Sequence, residues 1–143
     1  PGAAAYAEEG ATIITFEENR EVVLSAAGDD KARLEFVDDR MTLTDGDRKV
    51  ELYNIGPTPH AENILIAYLP DQGIIFEADH FPQPANGVIP PAVPATAAFA
   101  KRLDELDLDY SKLVGTHSPR IASPEDVKKA IGHKGASTIG GQH

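Results

Sequence analysis

The chain has 143 residues, 41% of them hydrophobic and 25% charged, with a formal net charge of −10. That composition suits one soluble globular domain with a sizeable core, and the acidic balance argues against nucleic acid or an anionic membrane surface as the main partner. No apolar run approaches the roughly 18 residues that a membrane helix needs, and the absence of cysteine excludes disulfides and thiolate metal sites.

In chain order, the first residues, Pro1-Gly2, carry no methionine and no targeting segment. They read as a processed N-terminus or as the start of a fragment. Residues 2–9 are alanine-rich and stop at Gly10, a helix with a glycine stop. The β-branched run 11–16 predicts a strand. Residues 17–26 place acids first and Val22, Val23 and Leu24 later, which predicts a second helix. The opening order, helix–strand–helix, is that of an α/β layer. Short alternating or apolar runs at 33–37, 41–44 and 49–55 are separated by Asp38-Asp39 and by Asp45-Gly46-Asp47, both read as hairpin turns. With two further runs at 63–69 and 73–78 they predict an antiparallel meander of about five strands.

Residues 81–94 hold five prolines and a glycine and exclude regular structure. They are either a surface connector or a wall that shapes a site. Residues 95–108 space Phe99, Leu103 and Leu106 as a helix. A short strand follows at 111–115. Ser123-Pro124-Glu125-Asp126 starts a last helix, with serine as N-cap, proline at the first position and acids in the first turn. Residues 1–132 form one domain on this reading, and 133–143 a flexible tail carrying His133 and His143.

Three residues share a context. His60 precedes one strand of the hairpin 63–78, Asp79 follows the other, and His117 follows the strand 111–115. Strand pairing brings the open ends of the hairpin together, so His60 and Asp79 become neighbours. Two imidazoles and a carboxylate form a workable set for a divalent metal. Taken singly, each residue also reads as a cap or turn residue. His80, adjacent to Asp79, points away from it if the strand continues, and is read as a supporting or surface residue.

The segment GPTPHAENILIAYLPDQGIIFEADHF, with LVGTHSP further along, resembles the C-terminal half of the metallo-β-lactamase fold hydrolases. The resemblance extends to the opening PGAAAYAEEGATIITFEENRE. It implies an α/β fold: the C-terminal half of an αββα sandwich, with mostly antiparallel strands flanked by helices. It implies His60 as a ligand of a first metal, Asp79 as the bridging carboxylate and His117 as a ligand of a second metal, with zinc as the ion. The H-x-H-x-D-H motif that supplies the remaining ligands in that superfamily would stand before Pro1 and is not in the chain. The expectation is therefore part of a hydrolase acting on a small-molecule ester, thioester or lactone, inactive or weakly metal-binding in this form. Aspartate in place of cysteine at the bridging position looks like the thioesterase, lactonase and glyoxalase II-like branches. Two other readings stand beside it. One is a non-catalytic module that keeps the fold and pairs as a homodimer to cover exposed sheet. The other is a mononuclear iron site built from two histidines and a carboxylate. The compartment stays open between cytoplasm and periplasm.

Overall fold

The structure, a computed structural model, describes residues 2–29 and 32–132. The tail expected at 133–143, with His133 and His143, lies outside the described residues. Two sheets form. Helix α1 (Ala3–Glu8) leads to β1 (Thr12–Thr15), and a 3-10 turn (Glu17–Asn19) leads to α2 (Arg20–Ala27) and β2 (Arg33–Phe36). β1 and β2 pair in parallel, Thr12 opposite Arg33 through Thr15 opposite Phe36. A parallel pair needs a crossover, and α2 lies in the chain between the two strands.

This corrects the meander expected from the sequence. The run at 33–37 returns to β1 instead of turning back at Asp38-Asp39. The antiparallel ladder starts one strand later. It comprises β3 (Arg40–Asp45), β4 (Arg48–Asn54), β5 (Leu65–Leu69) and β6 (Ile74–Glu77). The Asp45-Gly46 turn joins β3 to β4, and Gly46 takes φ 58 there, the conformation that such a turn demands. A 3-10 turn at Pro70–Gln72 and Gly73 at φ 60 connect β5 to β6. The sheet is completed by β7 (Lys112–Gly115), parallel to β6, and by β8 (Ile121–Ala122), antiparallel to β7 and not anticipated from sequence.

Two helices accompany the six strands. α3 (Pro94–Leu106) begins with proline at its first turn and ends where Asp107 takes φ 49. α4 (Pro124–Gly132) is capped reciprocally: Ser123 Oγ accepts the Asp126 N–H at 3.3 Å, and Asp126 Oδ2 accepts the Ser123 N–H at 2.9 Å. The core lies on one face of the larger sheet. Tyr53, Ile66, Tyr68, Ile75 and Leu113 pack there with Phe99, Ala100 and Leu103 of α3 and Val127 and Ala130 of α4. Alternation sends Phe76, 46% exposed, and Ile121, 60% exposed, to the other face. Among the described residues, no helix is long and apolar enough to cross a membrane.

Candidate functional site

One end of the larger sheet carries the site. β6 and β7 run in parallel with Glu77 opposite Gly115. Asp79 and His117 each stand two residues beyond that pair, so the same step along neighbouring chains brings them side by side. His117 Nε2 lies 3.5 Å from Asp79 Oδ1, and both side chains are more than half exposed. Asp79 takes φ 67, a left-handed conformation that aspartate tolerates better than most residues. Strand geometry ends before it.

His60 arrives on the β4–β5 connection, which Asn54 organises from below. Asn54 Oδ1 accepts the N–H groups of Gly56 at 2.9 Å and Ile64 at 3.1 Å, and its amide donates to Asn63 Oδ1 at 2.6 Å. Gly56 is required here, since a Cβ would stand 1.9 Å from the Glu62 carbonyl oxygen. His60, Asp79 and His117 all line one cavity of about 520 Å³, together with Glu77, Phe81, Gln83 and Ser118. The proline-rich segment thus forms one wall of this cavity.

His80 is 2% exposed and lies behind His60, their rings 5.3 Å apart edge to face. It is a buried supporting residue and not a surface one, because the turn at Asp79 breaks the strand alternation. Its Nδ1 is 2.6 Å from the Ala78 carbonyl, which can only accept, so Nδ1 carries the proton. Nε2 then accepts from Thr58 Oγ at 3.3 Å, and Thr58 Oγ in turn accepts the His60 backbone N–H at 3.1 Å. The His80 carbonyl accepts from Thr96 Oγ at 2.8 Å. Thr58 thereby ties the His60 loop to the buried imidazole.

Glu77, also 2% exposed, was not singled out from the sequence. It shares the inward face of β6 with Ile75, two residues earlier, and that parity is the signal that finds it. Burial pushes its carboxyl up, while the backbone N–H groups of His80 and Phe81 pull in the opposite direction. The Glu77 carboxylate accepts the His80 N–H at 2.8 Å. Ser118 Oγ accepts the Gln83 N–H at 3.2 Å and joins the His117 loop to the proline-rich wall. Gln83 is 4% exposed, and among the described residues its Nε2 has no hydrogen-bond partner.

Carboxylate oxygen and imidazole nitrogen are donors suited to zinc or iron. The Asp79–His117 pair fits one side of such a centre. It does not close one: among the described residues, no three His, Cys, Asp or Glu side chains stand close enough to share an ion.

Comparison with known proteins bears on the fold. No protein-family profile matches the sequence, and no curated protein is detectably similar to it. Solved structures do match. A metallo-β-lactamase from Pontibacter korlensis superposes with a TM-score of 0.63 at 19% identity, covering 93% of this chain and 63% of its own. The flavodiiron protein from Giardia intestinalis gives 0.60 at 17% identity, with 90% and 37% covered. The DIM-1 metallo-β-lactamase gives 0.59 at 15% identity, with 90% and 58% covered. The chain has a metallo-β-lactamase-like fold. It spans less than two thirds of the length of each of these proteins.

Proposed function

We propose that the chain carries one wall of a metal-dependent hydrolase site, with Asp79, His117 and His60 facing the ion or ions. The observation that carries this reading is the Asp79–His117 contact inside a cavity that His60 also lines, on a fold shared with metallo-β-lactamases. Zinc is the expected ion, with Asp79 offering a carboxylate that can bridge and each histidine offering a ring nitrogen. A bound divalent cation would supply Lewis acidity and a more acidic water. The chain's own groups do the rest. Parallel strand register holds Asp79 against His117, and Thr58 and His80 fix the His60 loop. Ser118 keeps the cavity wall in place beside the donors. The substrate class is a small neutral or cationic ester, thioester or lactone, since a net charge of −10 disfavours anions. Among the described residues these donors do not close a site, so the chain binds metal weakly and hydrolyses little.

Titration calorimetry with Zn²⁺ tests this. Asp79→Asn and His117→Ala should each weaken binding on the order of 10-fold or more, the scale on which metal sites respond to their surroundings. Equal affinity in the parent chain and both variants would remove the reading. A second reading, a di-iron redox protein, is favoured by the likeness to flavodiiron proteins. Iron retained in preference to zinc on purification would select it.

A further inference from the structure

The larger sheet is ordered β3-β4-β5-β6-β7-β8, so one side of β3 has no neighbouring strand. The opposite edge, β8, has two residues, whereas β3 has six, five of them exposed. Its pairing with β4 runs unbroken from Arg40 opposite Tyr53 to Asp45 opposite Arg48, so no bulge turns the edge away. The Asp39 carbonyl accepts the Asn54 N–H at 2.8 Å, and successive residues of an antiparallel strand bond to alternate sides. Asp39, Met41, Leu43 and Asp45 therefore bond towards β4. Arg40, Thr42 and Thr44 turn their N–H and C=O groups outward, and among the described residues no turn or loop takes these groups up. Such a row is a template for another strand.

Carboxylates flank the row. Asp38 and Asp39 precede the strand, Asp45 ends it and Asp47 lies in the turn beyond, and all four are exposed. Among the described residues none of the four has an ion pair or a side-chain hydrogen bond. Arg40, the one cation in β3, is held towards β4: its guanidinium lies 3.1 Å from Glu51 Oε1 and over the Tyr53 ring. The edge is thus anionic at both ends, which works against a second copy of the chain as its occupant. A two-fold centred on Thr42 would set Asp39 opposite the partner's Asp45, and one centred on Leu43 would set it opposite the partner's Asp47. Like charges directly opposite destabilise a strand pair.

We infer that the β3 edge takes up an extended basic segment of a partner protein as a seventh strand. Antiparallel pairing, the more stable arrangement per residue, sets the pattern of that segment. Alternation puts Asp39, Met41, Leu43 and Asp45 on one face. The segment therefore carries cations at its first and seventh positions and apolar residues at its third and fifth. Its backbone at the second, fourth and sixth positions bonds Thr44, Thr42 and Arg40. No residue of β3 lines the cavity, so this docking stands or falls apart from the metal reading.

The test uses end-blocked heptapeptides with threonine at the second, fourth and sixth positions and valine at the third and fifth, closed at both ends by lysine or by glutamate. They are titrated into the whole chain and followed by amide NMR and hydrogen exchange. The lysine peptide should shift the Arg40, Thr42 and Thr44 amides, and slow their exchange about 10-fold when nine-tenths of the edge is occupied. The Met41 and Leu43 amides, already bonded to β4, should change less. The glutamate peptide should leave all of them unchanged. Asp39→Asn and Asp45→Asn should each weaken the lysine peptide by up to about 5-fold, and added salt should weaken it on the parent chain. N-methyl groups at the second, fourth and sixth peptide positions should abolish binding, and at the third and fifth should be tolerated. Methylation leaves the protein untouched, so loss of its fold cannot mimic this result. Unresponsive Arg40, Thr42 and Thr44 amides overturn the inference. Equal binding of the lysine and glutamate peptides overturns the basic partner. Binding that survives methylation at the second, fourth and sixth positions is adhesion by charge alone and overturns strand addition. Protection of the same amides that grows with chain concentration, without peptide, puts a second copy on the edge and likewise overturns the basic partner.

Discussion

The Thr58 hydroxyl links the backbone of His60 to the buried ring of His80, and Thr58→Val isolates what that hydroxyl does. Valine keeps the shape and removes both hydrogen bonds, the one to His80 Nε2 at 3.3 Å and the one from the His60 N–H at 3.1 Å. His80 is 2% exposed and its Nδ1 is already committed to Ala78, so Nε2 becomes a buried acceptor without a partner. Such a group costs about 1–3 kcal/mol. The bond lost is long, which places the cost in the lower half of that range, about 1–2 kcal/mol. His60 is exposed, and water can replace the bond to its N–H at small cost. With urea slopes of about 1–3 kcal/mol per molar, the unfolding midpoint should fall by roughly 0.3–2 M. Thr58→Ser keeps the hydroxyl and should recover most of the loss. Circular dichroism follows the unfolding, and the imidazole NMR signals of His60 report whether its loop has moved. If Thr58→Val is as stable as Thr58→Ser and the His60 signals coincide, Thr58 is not the strut described here.

Two further perturbations follow. Burial, together with the Glu51 carboxylate 2.5 Å away, pushes the Tyr53 hydroxyl up to about 12 from its ordinary value of 10.0. A raised folded-state value means stability that is full below pH 10 and lost as pH rises towards 12. Tyr53→Phe removes that loss, so the stability difference between parent and variant should narrow or reverse over this window. A difference that stays constant from pH 9 to 12 would contradict the assignment. At Gly115, a Cβ would stand 2.9 Å from both Glu77 Oε1 and Ser118 Oγ. Gly115→Ala should cost about 1–3 kcal/mol through overpacking, shift the His117 NMR signals and weaken Zn²⁺ binding. Unchanged His117 signals would show that Glu77 and Ser118 absorb the methyl without disturbing the site.

The hairpin that frames the site was legible because two apolar runs flank Pro70-Asp71-Gln72, and its register follows from alternation in both strands. The position of His117 was legible from the short strand before it. What escaped was governed by contacts remote in sequence. Asp38-Asp39 reads as a turn by composition, yet the pairing of β2 with β1 takes that strand into the other sheet. His80 could not be placed by alternation, because Asp79 adopts a positive φ and resets the direction of the chain. Glu77 was within reach, since Ile75 fixes the inward parity of its strand, but a charge amid an apolar run draws the eye to solvent. Gln83 had no periodic signal at all in its proline-rich surroundings, and only the fold shows that it is buried.

The parallel register of β6 and β7 has a consequence for how this fold can diversify. The proximity of Asp79 to His117 comes from two adjacent strands and does not depend on the length of residues 80–111, which leave one strand and return to the other. That connection contributes half of the residues that line the cavity. It can be lengthened, shortened or exchanged while the two donors stay in step, whereas a single-residue insertion between Glu77 and Asp79 would part them. The cavity wall can therefore drift within a lineage, loop by loop, without each change having to rediscover the pair.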